Sequence, residues 1–344
     1  MEKKAADIKQ TTLSLKSKSL LLLIFWATTL VFTPLASAAD QELFNDVHEG
    51  DTHFVALKFL KEKNLIQGYE DGSFRPNQTI NRAESLQILL KAIPTRLPGD
   101  LKNVPTNTNT QDTQEKSQES EQIEKPVEVE DFIDVKKNDW FYENVKDAFT
   151  RKIVNGYPDK SFHPEKNIIR AEALKIVLLQ AQFPFPHVVE KPPYSDVSID
   201  SWFAVYCQVA KDRGLFLESR KNKEFLPAEN MTRAQFAELV YRLLQSNEGI
   251  QFARATFYSD ALAGRGTSSG DPYHPGVFTT AHKTLPFGTK LLVTNLANGK
   301  EIEVKVNDRG PYATGIGLDL SKSAFAAIAS VGTGVITTQY KILP

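Results

Sequence analysis

The chain has 344 residues, enough for two or three domains, with 41% hydrophobic and 24% charged residues, the composition of an ordinary folded protein. A formal net charge of -1 excludes broad electrostatic capture of DNA or RNA, which needs a basic surface to displace counterions from phosphate. The single cysteine, Cys207, excludes an intrachain disulfide and any zinc site built on several thiolates. Inside an amphipathic stretch after Tyr206, it reads as a small buried hydrophobe.

At the N-terminus Lys3, Lys4, Lys9, Lys16 and Lys18 precede an apolar run over residues 20–32, followed by Ala36-Ser37-Ala38. That order predicts a secretory signal peptide over residues 1–38, with the mature chain beginning near Ala39 or Asp40. The run is shorter than the roughly 20 residues of a spanning helix, so no membrane span is expected after cleavage. Cys207 is far from the cleavage site, which removes lipid attachment at an N-terminal cysteine. The expected compartment is the cell envelope, reached by secretion, and attachment there has to be non-covalent.

Three similar segments follow, opened by Phe44-Asn45-Asp46-Val47, Phe132-Ile133-Asp134-Val135 and Tyr194-Ser195-Asp196-Val197. Each continues through an aromatic-rich helix start, a turn, a Phe-x-Pro element and an Arg-Ala pair. In the second, Val145, Ala148 and Phe149 share one helical face, Gly156-Tyr157-Pro158 breaks the pattern, and Arg170-Ala171-Glu172 opens a second amphipathic helix. A helix-loop-helix unit of this size cannot bury both apolar faces alone, so the three are expected to close around a shared core. Between the first two, residues 97–130 are rich in Thr, Asn, Gln, Ser and acid and nearly free of aromatics, the composition of a disordered acidic linker.

These segments resemble surface-layer homology (SLH) repeats, over residues 43–93, 131–181 and 193–245. The resemblance rests on the Phe-x-Asp-Val openings, Gly68-Tyr69 and Gly156-Tyr157, Phe74-Arg75-Pro76 and Phe162-His163-Pro164, and Asn81-Arg82-Ala83-Glu84 with its counterparts. It implies a pseudo-threefold helical module that binds an anionic, often pyruvylated, cell-wall polysaccharide in grooves between repeats. A guanidinium fork suits a carboxylate-bearing ketal, and an indole offers a flat face to a sugar. The positions indicated are Arg82, Arg170 and Arg233, with Asp46, Asp134 and Asp196, and Trp140 and Trp202. Each Asp reads equally well as a cap of its following helix, and each Arg as a partner of a nearby acid. The copies differ: the first has Thr52-His53 where the others carry Trp140 and Trp202, and the third has Gln235 in place of Glu84 and Glu172, so one or two grooves are expected to be inactive. Arg170, in the best-preserved repeat, is expected to serve the strongest one.

From Phe252 the pattern changes to short alternating runs over residues 253–258, 290–295 and 301–306, the last two joined through Asn298-Gly299, a strong hairpin signal. With one helix near residues 321–329 this predicts a small all-β barrel over residues 249–344. Its polar residues cluster at strand ends: Asp271, His282, Asn307-Asp308-Arg309-Gly310 and Asp319-Leu320-Ser321, whereas Tyr273 and His274 read as loop residues.

The phrases Ala255-Thr256-Phe257-Tyr258, Thr280-Ala281-His282-Lys283-Thr284-Leu285-Pro286-Phe287-Gly288-Thr289, Val293-Thr294-Asn295, Asn307-Asp308-Arg309-Gly310-Pro311 and Asp319-Leu320-Ser321 resemble the double-psi β-barrel of rare lipoprotein A (RlpA). The whole chain is therefore expected to be multidomain, an α-helical SLH module of three repeats plus that barrel. The resemblance implies a lytic transglycosylase that cuts peptidoglycan between N-acetylmuramic acid and N-acetylglucosamine without metal or organic cofactor. Such cleavage needs a carboxylic acid to protonate the glycosidic oxygen and a carboxylate to stabilise positive charge on the sugar. By motif position Asp308 and Asp319 are the pair, completed by His282 and Asp271, with Thr256, Tyr258, Asn307 and Arg309 binding substrate. Members of the group usually carry Glu where Asp271 stands. The competing readings are an expansin-like module that grips or loosens glycan without cutting, and a structural envelope tether. The structural alternative for the residues themselves is that Asp319 caps the following helix and Asp308-Arg309-Gly310 is a salt-bridged turn.

Overall fold

The second helix of each repeat begins where the sequence supplies a cap. Asn81 accepts from the Glu84 N–H at 2.8 Å while Glu84 accepts from the Asn81 N–H at 3.2 Å, a reciprocal box that starts α2 (Arg82–Ala92). Thr232 and Gln235 repeat it before α6 (Arg233–Asn247). Before α4 (Arg170–Gln180) the cap position is Ile169, which has no side-chain acceptor, so only the Glu172 half is made, at 3.4 Å. The first helices are α1 (Phe54–Glu62), α3 (Tyr142–Thr150) and α5 (Ala204–Asp212). The computed structural model describes residues 43–94, 132–217 and 224–344; the expected signal peptide and linker lie outside them. Among the described residues no helix is long and apolar enough to cross a membrane.

The repeats close into a ring through their backbones. Ile80 donates to the Met231 carbonyl, Met231 to that of Ile168, and Ile168 to that of Ile80, at 3.0, 3.0 and 3.1 Å. All three residues are fully buried, where an unpaired peptide group would be costly. One shared core extends across all six helices and takes in Cys207 as a buried small side chain.

Within each repeat the opening Asp holds the Phe-x-Pro loop. Asp46 accepts from the N–H groups of Phe74 and Arg75, Asp134 from Phe162 and His163, and Asp196 from Phe225 and Leu226, all at 2.7–2.8 Å. Arg75, His163 and Leu226 sit at φ of 59°, 54° and 58°, left-handed backbone that an ordinary side chain adopts at a cost. The carboxylate offsets that cost by taking two N–H groups at once. These aspartates therefore staple the fold and do not cap the following helices, whose cap positions are His53, Phe141 and Phe203. Gly156 is fixed by a close approach: a Cβ there would lie 2.1 Å from the Phe132 ring.

The C-terminal part is a closed six-stranded barrel built from β1 (Gln251–Phe257), β2 (Thr279–Ala281), β3 (Lys290–Asn295), β4 (Glu301–Asp308), β5 (Leu318–Leu320) and β6 (Ile336–Ile342), with α7 (Lys322–Ile328) between the last two. The order around the barrel is β1-β5-β2-β4-β3-β6. β1 and β5 run parallel, as do β2 and β4, and the other neighbours are antiparallel. The Asn298-Gly299 turn joins β3 to β4 as expected, with Gly299 at φ 73°. That turn also docks the barrel on the first repeat, through Gly50 N–H to Ala297 O at 2.7 Å and Val55 N–H to Leu296 O at 3.2 Å. Phe252 and Leu296 enter the helical core, and Tyr241 donates to Gln339 at 2.6 Å.

Replacing Asp134 with Ala leaves two backbone donors unpaired beside a strained residue, and we expect a loss of about 2–3 kcal/mol of unfolding free energy. A urea denaturation midpoint followed by helix circular dichroism measures it; Asp134→Asn, which keeps one acceptor, should fall between.

Candidate active site and wall-polymer grooves

Register places the barrel's polar residues in one row. Thr256 on β1 faces Asp319 on β5, Asp319 faces Ala281 on β2, and Ala281 faces Asp308 on β4. The two aspartates are thus two strand spacings apart, about 10 Å between backbones, with only the small, buried Ala281 between them. The space above this row is a cavity of about 680 Å³ that Thr256, Tyr258, Asp308, Arg309, Tyr312 and Asp319 help to line.

The two carboxyls have different surroundings. Asp319 accepts from the Thr256 hydroxyl at 2.7 Å; burial pushes its pKa up, and the Asp308 charge adds to the rise, although the Thr256 bond opposes it. For Asp308 burial also acts upward, but the donors outweigh it and hold the carboxyl below the usual range. Those donors are the Tyr258 hydroxyl at 2.6 Å, the Ser268 hydroxyl and N–H at 2.7 and 2.8 Å, and the Arg309 N–H at 2.8 Å. Two carboxyls in one cleft whose proton affinities are pushed in opposite directions are the starting point for acid–base cleavage of a glycoside.

The two structural readings of these residues fail on geometry. Ser321, not Asp319, is the cap of α7. Arg309 turns its guanidinium onto the Phe287 ring, 3.8 Å from its centroid, and donates to the His282 carbonyl at 3.3 Å, so it forms no ion pair with the Asp308 side chain.

His282 and Asp271 do not join the pair. The His282 Nδ1 accepts from the N–H groups of Thr284 and Leu285 at 3.2 and 3.0 Å, which leaves the proton on Nε2, facing the Tyr340 hydroxyl at 3.1 Å. Burial, with Arg309 and Lys283 nearby, lowers its pKa, so the ring is a neutral fastener of its loop. Asp271 lies on a neighbouring cavity of about 480 Å³ with His274, Lys305 and Asn307; Tyr273 lies in the same loop, as expected, with its side chain buried. Ser268 and Tyr312 were not legible as site residues, since a Ser-rich loop and one exposed Tyr carry no local signal. Among the described residues no three His, Cys, Asp or Glu side chains converge as metal ligands.

In the helical module, Arg82 reaches from the first repeat to the Phe162 and Asn155 carbonyls of the second, at 3.0 and 3.1 Å. Arg233 reaches from the third to the Phe74 carbonyl of the first at 2.9 Å and to Glu84 at 3.3 Å. Both are buried and stack on aromatic rings, so each joins two repeats whatever else it binds. Arg170 stacks on Phe216 and Phe225, pairs with Glu229 at 3.5 Å, and has a buried Nε without a partner.

Trp140 and Trp202 are half exposed, at 55% and 54%. Trp202 stands over Lys175 in a groove of about 210 Å³ that also holds Arg82, Tyr157 and Glu172. By repeat equivalence the corresponding groove, about 200 Å³, has Arg170 for Arg82, Gln235 for Glu172, Glu238 for Lys175 and Thr52 for Trp202, and its remaining wall includes Arg254 and Thr337 of the barrel. Glu238 there is bound by His53 and Arg242. Burial acts to raise its pKa, yet Arg242 first, and the His53 contact with it, hold the carboxyl low.

Residues 43–84, 131–174 and 193–237 match the family model described as the S-layer homology domain, and residues 251–340 match the one described as lytic transglycolase. The chain is thus three SLH repeats carrying an RlpA-like double-psi barrel, an architecture of the cell envelope. Over 122 residues it is 38% identical to the "Probable endolytic peptidoglycan transglycosylase RlpA" of Nostoc sp., covering 34% of this chain and 33% of that one. Over 98 residues it is 44% identical to the "Endolytic peptidoglycan transglycosylase RlpA" of Pasteurella multocida, covering 28% and 33%. The chain therefore spans about a third of the length of these curated relatives.

Carboxyl titration followed by NMR should show Asp319 titrating above Asp308. In Asp308→Asn the charge that helps raise Asp319 is gone, so its midpoint should fall while staying above the ordinary carboxylate value because it remains buried; an unchanged midpoint would mean that the two do not share a field.

Proposed function

We propose that this is a secreted, wall-anchored lytic transglycosylase that cleaves the glycan strand of peptidoglycan between N-acetylmuramic acid and N-acetylglucosamine. The observation that carries this reading is the split carboxyl pair across Ala281. Asp319, holding its proton, donates it to the glycosidic oxygen as the bond from that oxygen to the sugar C1 breaks. Asp308, kept ionised by its donors, faces the positive charge that develops on the ring. Asp319, now a carboxylate, then takes the proton of the muramic 6-hydroxyl as that oxygen closes on C1, giving a 1,6-anhydro end and returning Asp319 to its starting state. Thr256 orients Asp319, Tyr258 and Ser268 orient Asp308, and Arg309 faces the strand from the rim, whereas Asn307, expected to join it, is buried against the neighbouring cavity.

Intact and peptide-stripped sacculi incubated with the protein should release 1,6-anhydro-muramyl products, read by mass spectrometry. Reducing ends instead would make it a hydrolase, and glycan binding without products would favour the expansin-like reading. Asp319→Asn should lower turnover about a hundred- to ten-thousandfold. Because the acid is the group with the raised pKa, turnover should fall as pH rises through the Asp319 midpoint and, on the acid side, as pH falls through the lower midpoint of Asp308; the two values belong to the coupled pair.

The same proposal assigns the SLH module to an anionic secondary wall polysaccharide, held in the groove of Arg82, Lys175 and Trp202. This revises the expectation that Arg170 dominates, because the Arg170 groove has an acid where the other has Lys175, lacks the indole and is walled by the barrel. In pelleting with purified cell wall, Lys175→Gln or Trp202→Ala should weaken binding about tenfold, the scale of a lost charge-assisted contact, while Arg170→Gln leaves it near wild type; the reverse order would sink this assignment.

A further inference from the structure

One residue before Asp308, β4 turns toward the cavity that Asp271 lines. Val304 and Val306 are buried in the barrel core, so the alternate positions Lys305 and Asn307 face away from it. Thr279 on β2 pairs with Lys305 and shares that face. The segment 268–278 is bonded to β4 at both ends, through Ser269 N–H to Asn307 O at 3.1 Å and Lys305 N–H to Phe278 O at 3.2 Å. Between segment and strand lies the cavity of about 480 Å³. Asn307 and Thr279 are only 6% and 5% exposed, yet neither the Asn307 amide nor the Thr279 hydroxyl has a hydrogen-bond partner among the described residues. Buried polar side chains ordinarily have one. The wall above them is apolar, formed by exposed Val277 and Phe278.

The same segment divides this cavity from the cleft. Ser268 holds the Asp308 carboxylate while Ser269, next to it, holds the Asn307 carbonyl. A carboxylate and an unpaired amide thus stand on consecutive residues, about 3.8 Å apart between Cα atoms, on the two sides of one turn. Resting on the lytic reading above, we infer that this cavity receives the acetamido group of the glucosamine residue next to the scissile bond. It is the neighbour rather than the reacting ring because the cavity lies behind the Ser268–Ser269 turn, apart from the aspartate row. An amide pairs with an amide through two complementary bonds: Asn307 Nδ2 donates to the acetamido carbonyl, and Oδ1 accepts from its N–H. The acetyl methyl then lies against Val277 and Phe278, and the Thr279 hydroxyl is left for a hydroxyl of the same sugar. A de-N-acetylated glucosamine brings an ammonium, with no acceptor for Nδ2 and no methyl for the wall. Lys305 and Asp271, both exposed on the cavity, act on that charge in opposite senses, so the lost bonds decide. The barrel therefore reads the acetylation state of the strand it cuts.

The test uses the full chain and peptide-stripped strands in three forms: native, de-N-acetylated enzymatically at glucosamine alone, and the latter re-acetylated. Wild type should cut native and re-acetylated strands with a kcat/KM about ten- to a hundredfold above that on de-N-acetylated ones, less than a fully enclosed site would impose because this cavity is open to solvent. Asn307→Leu should bring that ratio close to one. So should Val277→Trp, which fills the cavity from its exposed wall and leaves β4 untouched should Asn307→Leu fail to fold. A wild-type ratio near one, or a ratio that both variants leave unaltered, overturns the inference and leaves the lytic reading standing. If Asn307→Leu acts only on peptide-bearing strands, the amide read is that of a stem peptide and the acetamido assignment falls. Absence of anhydro products from every strand overturns the lytic reading instead, and equilibrium binding of the three forms to wild type and Val277→Trp then still decides the cavity.

Discussion

Three backbone hydrogen bonds, from Ile80 to Met231, Met231 to Ile168 and Ile168 to Ile80, hold the rest of the helical module together. Each links a different pair of repeats, so the ring closes only when all three are present. The arginines that follow them extend the same linkage outward. The Arg82, Arg170 and Arg233 N–H groups donate to Lys166, Glu229 and Gln78 of the next repeat, and the guanidiniums then stack on that repeat's aromatic rings. A groove between repeats is therefore a consequence of ring closure, and its chemistry comes from at least two repeats at once. This is why equivalent positions can diverge so far, with Lys175 in one groove and Glu238 in another, without disturbing the fold.

In the barrel the corresponding constraint is the row across four strands. β2 is only three residues long, yet it is the strand that pairs with both aspartate-bearing neighbours. A small side chain at Ala281 keeps the carboxyls apart while leaving them in one field. The environment of each then sets its proton affinity: one hydroxyl donor and partial burial for Asp319, four donors for Asp308. Two residues of the same type acquire different roles from their neighbours rather than from their own chemistry.

Much of this was legible in the sequence because it is local. The capping boxes at Asn81 and Thr232, the alternating strands, the Asn298-Gly299 turn and the helix-loop-helix periodicity each lie within a few residues, and the repeats made the pattern visible three times. What was not legible depends on contacts between distant residues. Asp46, Asp134 and Asp196 look like caps because the backbone groups they hold are 28 to 30 residues away. His282 has the position of a catalytic residue, but its ring nitrogens are committed to its own loop and to Tyr340, 58 residues on. Asp271 lies close to Asp308 through the Ser268 loop yet lines a different cavity. No pattern within the repeats announces that the barrel would form a wall of the Arg170 groove, since that depends on how β1 and the β3–β4 turn leave the bundle.

The mounting of the barrel also sets a length scale. Its β3–β4 turn is bonded to the first repeat while Phe252, at its entrance, is buried against the third, so the domain straddles the joint between the first and last members of the ring. A protein whose enzyme swings on a long leash can sample any strand within the leash's radius. Here the cleft keeps a set distance and bearing from the grooves, like a tool bolted to its clamp. Any strand bound in the cleft would then lie at a fixed spacing from whatever occupies the grooves.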